Sequence, residues 1–261
     1  MKVSCQQENM SKDQIKDLIE RLLPEAGLVD TALNGVQLFR VTKAMPCVPA
    51  VYEPTVVAIL NGTKEAVLDG KHHVYGSDTY LLCPMTLPVE AGTPQASEAE
   101  PLVGVMITLV PRMMRELTME IEAAAGGTRQ HREAVPKALA LASWDTRFTQ
   151  ALLQLLKLLE NPVDLEVLGL GRLRELCYAV LMGEAGVAAR RAFGVGYEIA
   201  RTIASLSPHL NEQVTIDEMA DHVGMSRAVF HRRFKEATTM SPIQFVKSMR
   251  LNNAAMRISE G

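Results

Sequence analysis

Residues 213–258 constrain this chain more than all the others, because they set out helix starts, a turn and helix faces in one unbroken order. Thr215 and Glu218 stand three apart, the spacing of a capping box, in which each side chain satisfies a backbone donor at a helix start. Ile216, Met219, Ala220 and Val223 then recur at helical spacing and mark one face of a short helix. Gly224 supplies the turn, since a residue without Cβ takes positive φ freely. Ser226 is the cap of a second helix. Met225 and Phe230 flank that cap at the spacing of a hydrophobic staple. Val229, Phe230 and Phe234 face inward, which leaves Arg227, His231, Arg232 and Lys235 outside. Two short helices about a glycine turn, the second with a basic outer stripe, are helix–turn–helix grammar. Ser241-Pro242 follows as a cap with proline at the first helical position, and Phe245, Val246 and Met249 begin a third amphipathic helix.

Charge supports the same reading locally. The whole chain carries a formal net charge of −3, so it is not a general polycation. Between Ser226 and Arg257, however, Arg227, Arg232, Arg233, Lys235, Lys247, Arg250 and Arg257 face a lone acid, Glu236. Binding of nucleic acid needs such a local field. The second helix is expected in the major groove of a DNA operator, with Arg227 and His231 at base edges and Arg232 and Lys235 at phosphates.

The string Thr215-Ile216 through Ala220, Val223-Gly224-Met225-Ser226, Phe230-His231-Arg232-Arg233-Phe234-Lys235, Met240-Ser241-Pro242, and Arg250-Leu251 with Ala254 resembles the first helix–turn–helix of the AraC/XylS family of bacterial transcription regulators. The resemblance implies a second such unit beyond a joining helix. The sequence ends at Gly261, just after that joining helix, so the second unit is expected to be missing, by trimming or by nature.

The N-terminal part reads differently. Residues 11–23 make a capped helix with Ile15, Leu18, Ile19 and Leu22 on one face, ended by Pro24 and Gly27. From about Asn34 to Leu109 the pattern is short strands and turns. Residues 35–41 alternate. Residues 51–60 form a β-rich run closed by Asn61-Gly62, a tight hairpin signal, and Asp69-Gly70 marks a second hairpin. Strands at 79–83, 87–90 and 102–109 complete a small barrel or sandwich, with 92–101 a polar loop. After Val110 the chain is expected to be helical to its end: at 112–125, closed by Gly126-Gly127; at 144–160, stopped by Asn161-Pro162; around Leu173–Leu181; and around Ile199–Leu210.

This half resembles the cupin-like sensory domain of a subgroup of AraC-type regulators, through Tyr52-Glu53-Pro54, Asn61-Gly62, Asp69-Gly70, Leu87-Pro88-Val89 and Gly183-Glu184. The two resemblances imply an α+β fold: an N-terminal cupin-like β-barrel with a helical dimerisation layer, then an all-α helix–turn–helix unit. The expected division is an N-terminal helical arm at 1–27, the barrel with its closing helix at 28–125, a helical dimerisation and linker region at 126–208, and the reader with the start of the joining helix at 209–261. A length of 261 residues at 48% hydrophobic content is enough for such a two-domain chain.

Catalysis is not expected. Catalytic cupins hold a metal with a His-x-His pair, whereas His72 and His73 are adjacent, and strand alternation sends them to opposite faces. His131, His209, His222 and His231 lie in helical or linker stretches, and no nucleophile-elbow, P-loop or dinucleotide pattern occurs. No cofactor is implied. Cys5, Cys47, Cys83 and Cys177 have neither C-x-x-C nor zinc spacing, and with no signal peptide or membrane-length apolar run they indicate free thiols in the cytoplasm. The barrel is left to bind a small-molecule effector, with Arg40, Tyr52, His72 and Tyr80 as polar contacts and Cys47 and Cys83 as thiols open to an electrophile or oxidant. A homodimer is expected through residues 144–160, where Leu152, Leu156 and Leu159 form one apolar set and Leu155 and Leu158 extend it toward a partner. Expected partners are a double-stranded DNA operator, a second copy and the effector, with RNA polymerase a further candidate and no membrane. The alternative is a sensor or dimerisation protein that does not bind DNA specifically by itself.

Overall fold

The computed structural model describes residues 2–125, 138–194, 197–212 and 214–260. The glycine pair Gly126-Gly127 and His131 lie outside them. Among the described residues, ten strands form two antiparallel sheets. The strands are β1 (Gly27–Asp30), β2 (Val36–Val41), β3 (Met45–Tyr52), β4 (Thr55–Asn61), β5 (Thr63–Leu68), β6 (Lys71–Gly76), β7 (Thr79–Cys83), β8 (Leu87–Thr93), β9 (Leu102–Thr108) and β10 (Ala140–Ser143). One sheet runs β1-β2-β9-β4-β7-β10 and the other β3-β8-β5-β6.

Strand alternation gives the six-stranded sheet two apolar faces. Leu81, Cys83, Val57 and Ile59 join Leu68, Tyr75, Leu87 and Val89 of the other sheet in one core, the barrel interior. Tyr80, Leu82, Val56, Val36 and Leu38 point the other way into a second core. That core is roofed by α1 (Lys2–Leu22), α2 (Pro111–Ala124), α3 (Thr146–Lys157), α4 (Pro162–Met182) and α5 (Gly186–Phe193). The chain is thus α+β, a β-barrel with a helical layer, followed by α6 (Tyr197–Leu206), α7 (Ile216–His222), α8 (Arg227–Thr238) and α9 (Pro242–Glu260).

Three expectations need correcting. The run 51–60 is not one strand: Glu53-Pro54 breaks it, and β3 and β4 lie in different sheets. Asn61-Gly62 is therefore no hairpin. It is the corner at which the chain leaves one sheet for the other. Gly62 there has φ +80° and sits so close to Leu102 that a Cβ would lie 2.9 Å from its Cα, while Asn61 Nδ2 donates to the Pro101 carbonyl at 2.6 Å. Asp69-Gly70, by contrast, is the expected hairpin, with φ of 50° and 73° and Leu68 paired to Lys71.

The stretch after Val110 is not wholly helical, because β10 adds to β7 with Ala140 opposite Leu82. Finally, α3 is not a free dimerisation helix. Leu152, Leu153, Leu155, Leu156 and Leu158 are all buried, with α1 on one side and α4 on the other. Both apolar sets are used within the chain.

Candidate nucleic-acid interface and sensor interior

The reader is built from its caps inward. Thr215 Oγ1 accepts from the Glu218 amide at 3.2 Å, and Glu218 Oε2 accepts from the Thr215 amide at 2.7 Å. The Thr215 amide, and after it the Thr215 hydroxyl donating to Glu218 Oε2 at 2.9 Å, hold the Glu218 carboxyl below its usual range. Gly224 turns the chain at φ +64°, and Ser226 caps α8. Phe230 and Phe234 are fully buried, with ring centroids 5.4 Å apart, and Phe245 of α9 meets Phe234 edge-on at 5.2 Å. Ser241 and Gln244 exchange hydrogen bonds at the start of α9, a second capping box.

This frame leaves Arg227, His231, Arg232 and Lys235 exposed on α8, together with Arg233. Arg227 is not idle: its Nη1 donates to Asp217 Oδ2 of α7 at 3.0 Å, an exposed pair of the kind that solvent screens. His231, Arg232 and Lys235 fall on one outward strip, on the side away from the phenylalanines.

The reader is tied to the barrel by α9. Asn252 Nδ2 donates to the carbonyls of Ala50 on β3 and Val89 on β8, at 2.8 and 2.9 Å. These two residues are paired across the strands. Arg250 closes the other side, donating to the Leu210 and Glu212 carbonyls at 2.6 and 2.7 Å. Nothing in the sequence pattern flagged Asn252, because its partners are backbone atoms far away in the chain.

The six candidate effector contacts do not form one group. Tyr52 packs against the core that holds Cys83, and Cys47 lies against the Glu65 carboxylate. Tyr80 belongs to the helical side, its ring stacked on Phe148 at 4.5 Å and its hydroxyl against the Ala185 backbone. Arg40 shares the strand face of Val36 and Leu38, which also pack on the helices. His72 is exposed on the outer face, bonded to Glu65, whose carboxyl that bond holds below its usual range. His73, its neighbour, faces the other way, opposite buried Ala66.

Two interior residues were missed. Tyr75 is buried beside Tyr52, the two hydroxyls turned toward each other with no further partner among the described residues. Lys64 is paired with Tyr75 across the β5–β6 hairpin and holds its ammonium 5.9 Å from the Phe39 ring centroid. Desolvation lowers the Lys64 pKa and raises those of Tyr52 and Tyr75. The register through Asp69-Gly70 would have found both. The thiols are not activated. Burial pushes Cys83 up while its Sγ donates to the Met85 carbonyl, and desolvation followed by the Glu65 carboxylate pushes Cys47 up.

Among the described residues, no three His, Cys, Asp or Glu side chains are placed to hold a metal, and no helix is long and apolar enough to cross a membrane.

A β-rich regulatory domain carrying a capped helix–turn–helix defines a DNA-binding transcription regulator. Residues 32–188 match the family model of the AraC-type transcriptional regulator N-terminus, and residues 206–247 match the bacterial regulatory helix-turn-helix proteins of the AraC family. The chain belongs to the AraC family of transcription regulators. No curated protein sequence matches it. Among solved structures, ToxT from Vibrio cholerae is similar at 11% identity over 82% of this chain and 97% of that one, with a TM-score of 0.34. ToxT bound to (E)-4-(8-methylnaphthalen-1-yl)but-3-enoic acid is similar at 12% identity over 82% of this chain and 98% of that one, with a TM-score of 0.33. The AraC-like transcriptional activator CuxR is similar at 12% identity over 87% of this chain and 79% of that one, with a TM-score of 0.37.

Proposed function

We propose that this regulator works as a cytoplasmic homodimer whose barrel senses a small molecule and whose α8 reads an operator, with no catalytic step. The observation that carries the reading is α8 itself. It is clamped from behind by Phe230 and Phe234 and presents His231, Arg232 and Lys235 outward on a rigid frame. We assign Arg227 and His231 to base edges and Arg232 and Lys235 to phosphates. Arg227 exchanges its weak, exposed bond to Asp217 for a guanine edge or a phosphate.

The effector site is assigned to the barrel interior at Tyr52, Tyr75 and Lys64, not to Arg40, His72 or Tyr80. Two buried hydroxyls that have only each other among the described residues, and a desolvated ammonium, supply donors for a ligand that brings acceptors. A thiol-based sensor is disfavoured by the raised Cys47 and Cys83 pKa values. The route from sensor to reader runs along β3, from Tyr52 to Ala50, and across Asn252 into α9. The chain divides accordingly at about residue 208, sensor and helical layer before it and reader after it.

Selection of duplexes from a randomised DNA pool by the full chain tests the reading. A shared motif among the retained duplexes is expected. Retention without any sequence preference at low salt, and none at moderate salt, would instead favour a sensor that does not read DNA by itself.

A further inference from the structure

The barrel interior holds an amine that has no counter-charge among the described residues. Lys64 on β5 stands opposite Tyr75 on β6, and Tyr75 is buried in the barrel core, so the pleat sets the lysine on the inner face. Glu65, its neighbour in sequence, is turned to the outer face and bonded to His72. Among the described residues the Lys64 ammonium makes no ion pair and no hydrogen bond, and lies over the Phe39 ring. Desolvation favours the uncharged amine at such a place. A primary amine in apolar surroundings is a nucleophile for carbonyl carbon.

The tyrosine pair limits what the ligand carries. Desolvation keeps both phenols neutral. Turned toward each other, the two hydroxyls use one proton between them and leave one O–H to donate. A carboxylate brings two charged oxygens and needs several donors to replace its water. A neutral carbonyl oxygen is satisfied by one. The thiols do not compete for the carbon, since Cys83 donates to the Met85 carbonyl and both thiol pKa values are raised. Phe39, Leu68, Leu87 and Val89 make the surrounding wall apolar.

We propose that Lys64 holds an aldehyde or ketone effector covalently, as a reversible imine, with the free hydroxyl of the Tyr52–Tyr75 pair polarising the carbonyl. The proposal deepens the effector reading above and rests on it. The Lys64 lone pair forms the C–N bond, and the C=O π pair moves to oxygen, which takes a proton from the tyrosine. The nitrogen returns a proton to the tyrosine. The carbinolamine then loses its hydroxyl and the last N–H proton as one water, and the C=N bond forms. Nothing is oxidised or reduced, and hydrolysis reverses the step.

Reductive trapping on the full chain tests it, with butanal as the probe and butanoate as its anionic counterpart. Cyanoborohydride fixes an imine as a secondary amine, which peptide mass mapping locates. At limiting butanal, Lys64 is expected to be modified severalfold ahead of Lys71 and Lys247, both exposed. Lys64→Arg should lose that adduct and no other. Tyr52→Phe combined with Tyr75→Phe should slow the Lys64 adduct and leave modification of Lys71 as it was. Without reductant, butanal should raise the melting temperature of the wild type but not of Lys64→Arg, and butanoate should raise neither. Modification of exposed lysines alone overturns the proposal. So does stabilisation by butanoate that Lys64→Arg abolishes, which would make the place an anion site. DNA binding is read separately on the same samples. A Lys64 adduct that leaves DNA binding unchanged keeps the imine and sinks its regulatory role, whereas sequence-selective DNA binding with no Lys64 adduct sinks the imine and keeps the regulator.

Discussion

At the scale of single residues, the reader separates side chains that hold it together from those we propose to touch DNA. Phe234 sits between Phe230 and Phe245, fully buried, so Phe234→Ala removes a ring from the centre of a small core. A loss of about 3–5 kcal/mol is expected for the reader. Hydrogen exchange should show the amides of α7 and α8 unprotected while those of β4 and β9 keep their protection. Full protection of α7 and α8 in Phe234→Ala would place the core elsewhere. Arg227 is different, being exposed and tied only to Asp217. Arg227→Ala should leave stability nearly unchanged, relax preference at one operator position and cost about 1–3 kcal/mol of binding. An unchanged ranking of operators would remove Arg227 from the base edges. The residues on α8 were legible in the sequence, because capping, staple and helical spacing are local rules that the final packing obeys. The Arg227–Asp217 pair was not, since it depends on how two helices cross.

At the scale of elements, legibility followed the range of the interactions. The Asp69-Gly70 hairpin was readable because its φ values and pairing depend on two residues and their neighbours. Asn61-Gly62 looks the same in sequence but serves as a corner, because the partners of β4 are β7 and β9 and not the next strand. Likewise β10 escaped notice, since four residues acquire strand character only beside β7. The leucines of α3 gave a correct apolar count but a wrong destination, being divided between α1, α4 and the sheet. The capping box of α7 gives a prediction at this scale. Thr215→Ala should cost about 1 kcal/mol of reader stability, measured by denaturant unfolding. Glu218 has a folded pKa below its unfolded value, so its contribution is present above the unfolded pKa and is lost as pH falls through the folded one. The wild-type reader should therefore loosen in acid, and a Glu218→Gln variant should lose that part of its pH dependence. Identical acid unfolding of the two would contradict it.

At the scale of the whole molecule, the junction between α9 and the barrel is the contact through which we propose that barrel and reader communicate. Asn252 holds two sheet carbonyls at once. Asn252→Ala removes both donors without touching the barrel interior, and is expected to raise hydrogen exchange in α9 and to make DNA binding indifferent to changes at Tyr52. If Tyr52→Phe alters DNA binding equally in the presence and absence of Asn252, the signal takes another route. The family membership and the order of sheet domain, helical layer and reader were readable from the sequence. The pairing of Lys64 with Tyr75 follows from the Asp69-Gly70 hairpin, but their meeting with Tyr52 needed the fold, because β3 joins that sheet only through β8.

The central claim is that the outward strip of α8 meets the DNA backbone and bases. Its most direct test is the salt dependence of DNA binding by the full chain and by Lys235→Ala. The strip is basic and exposed, so binding should fall steeply as salt rises, as counterion release requires. Lys235→Ala should weaken binding to all duplexes alike and reduce the slope of log affinity against log salt by about one. Binding that ignores salt, or a Lys235→Ala variant with the wild-type slope, would contradict the account.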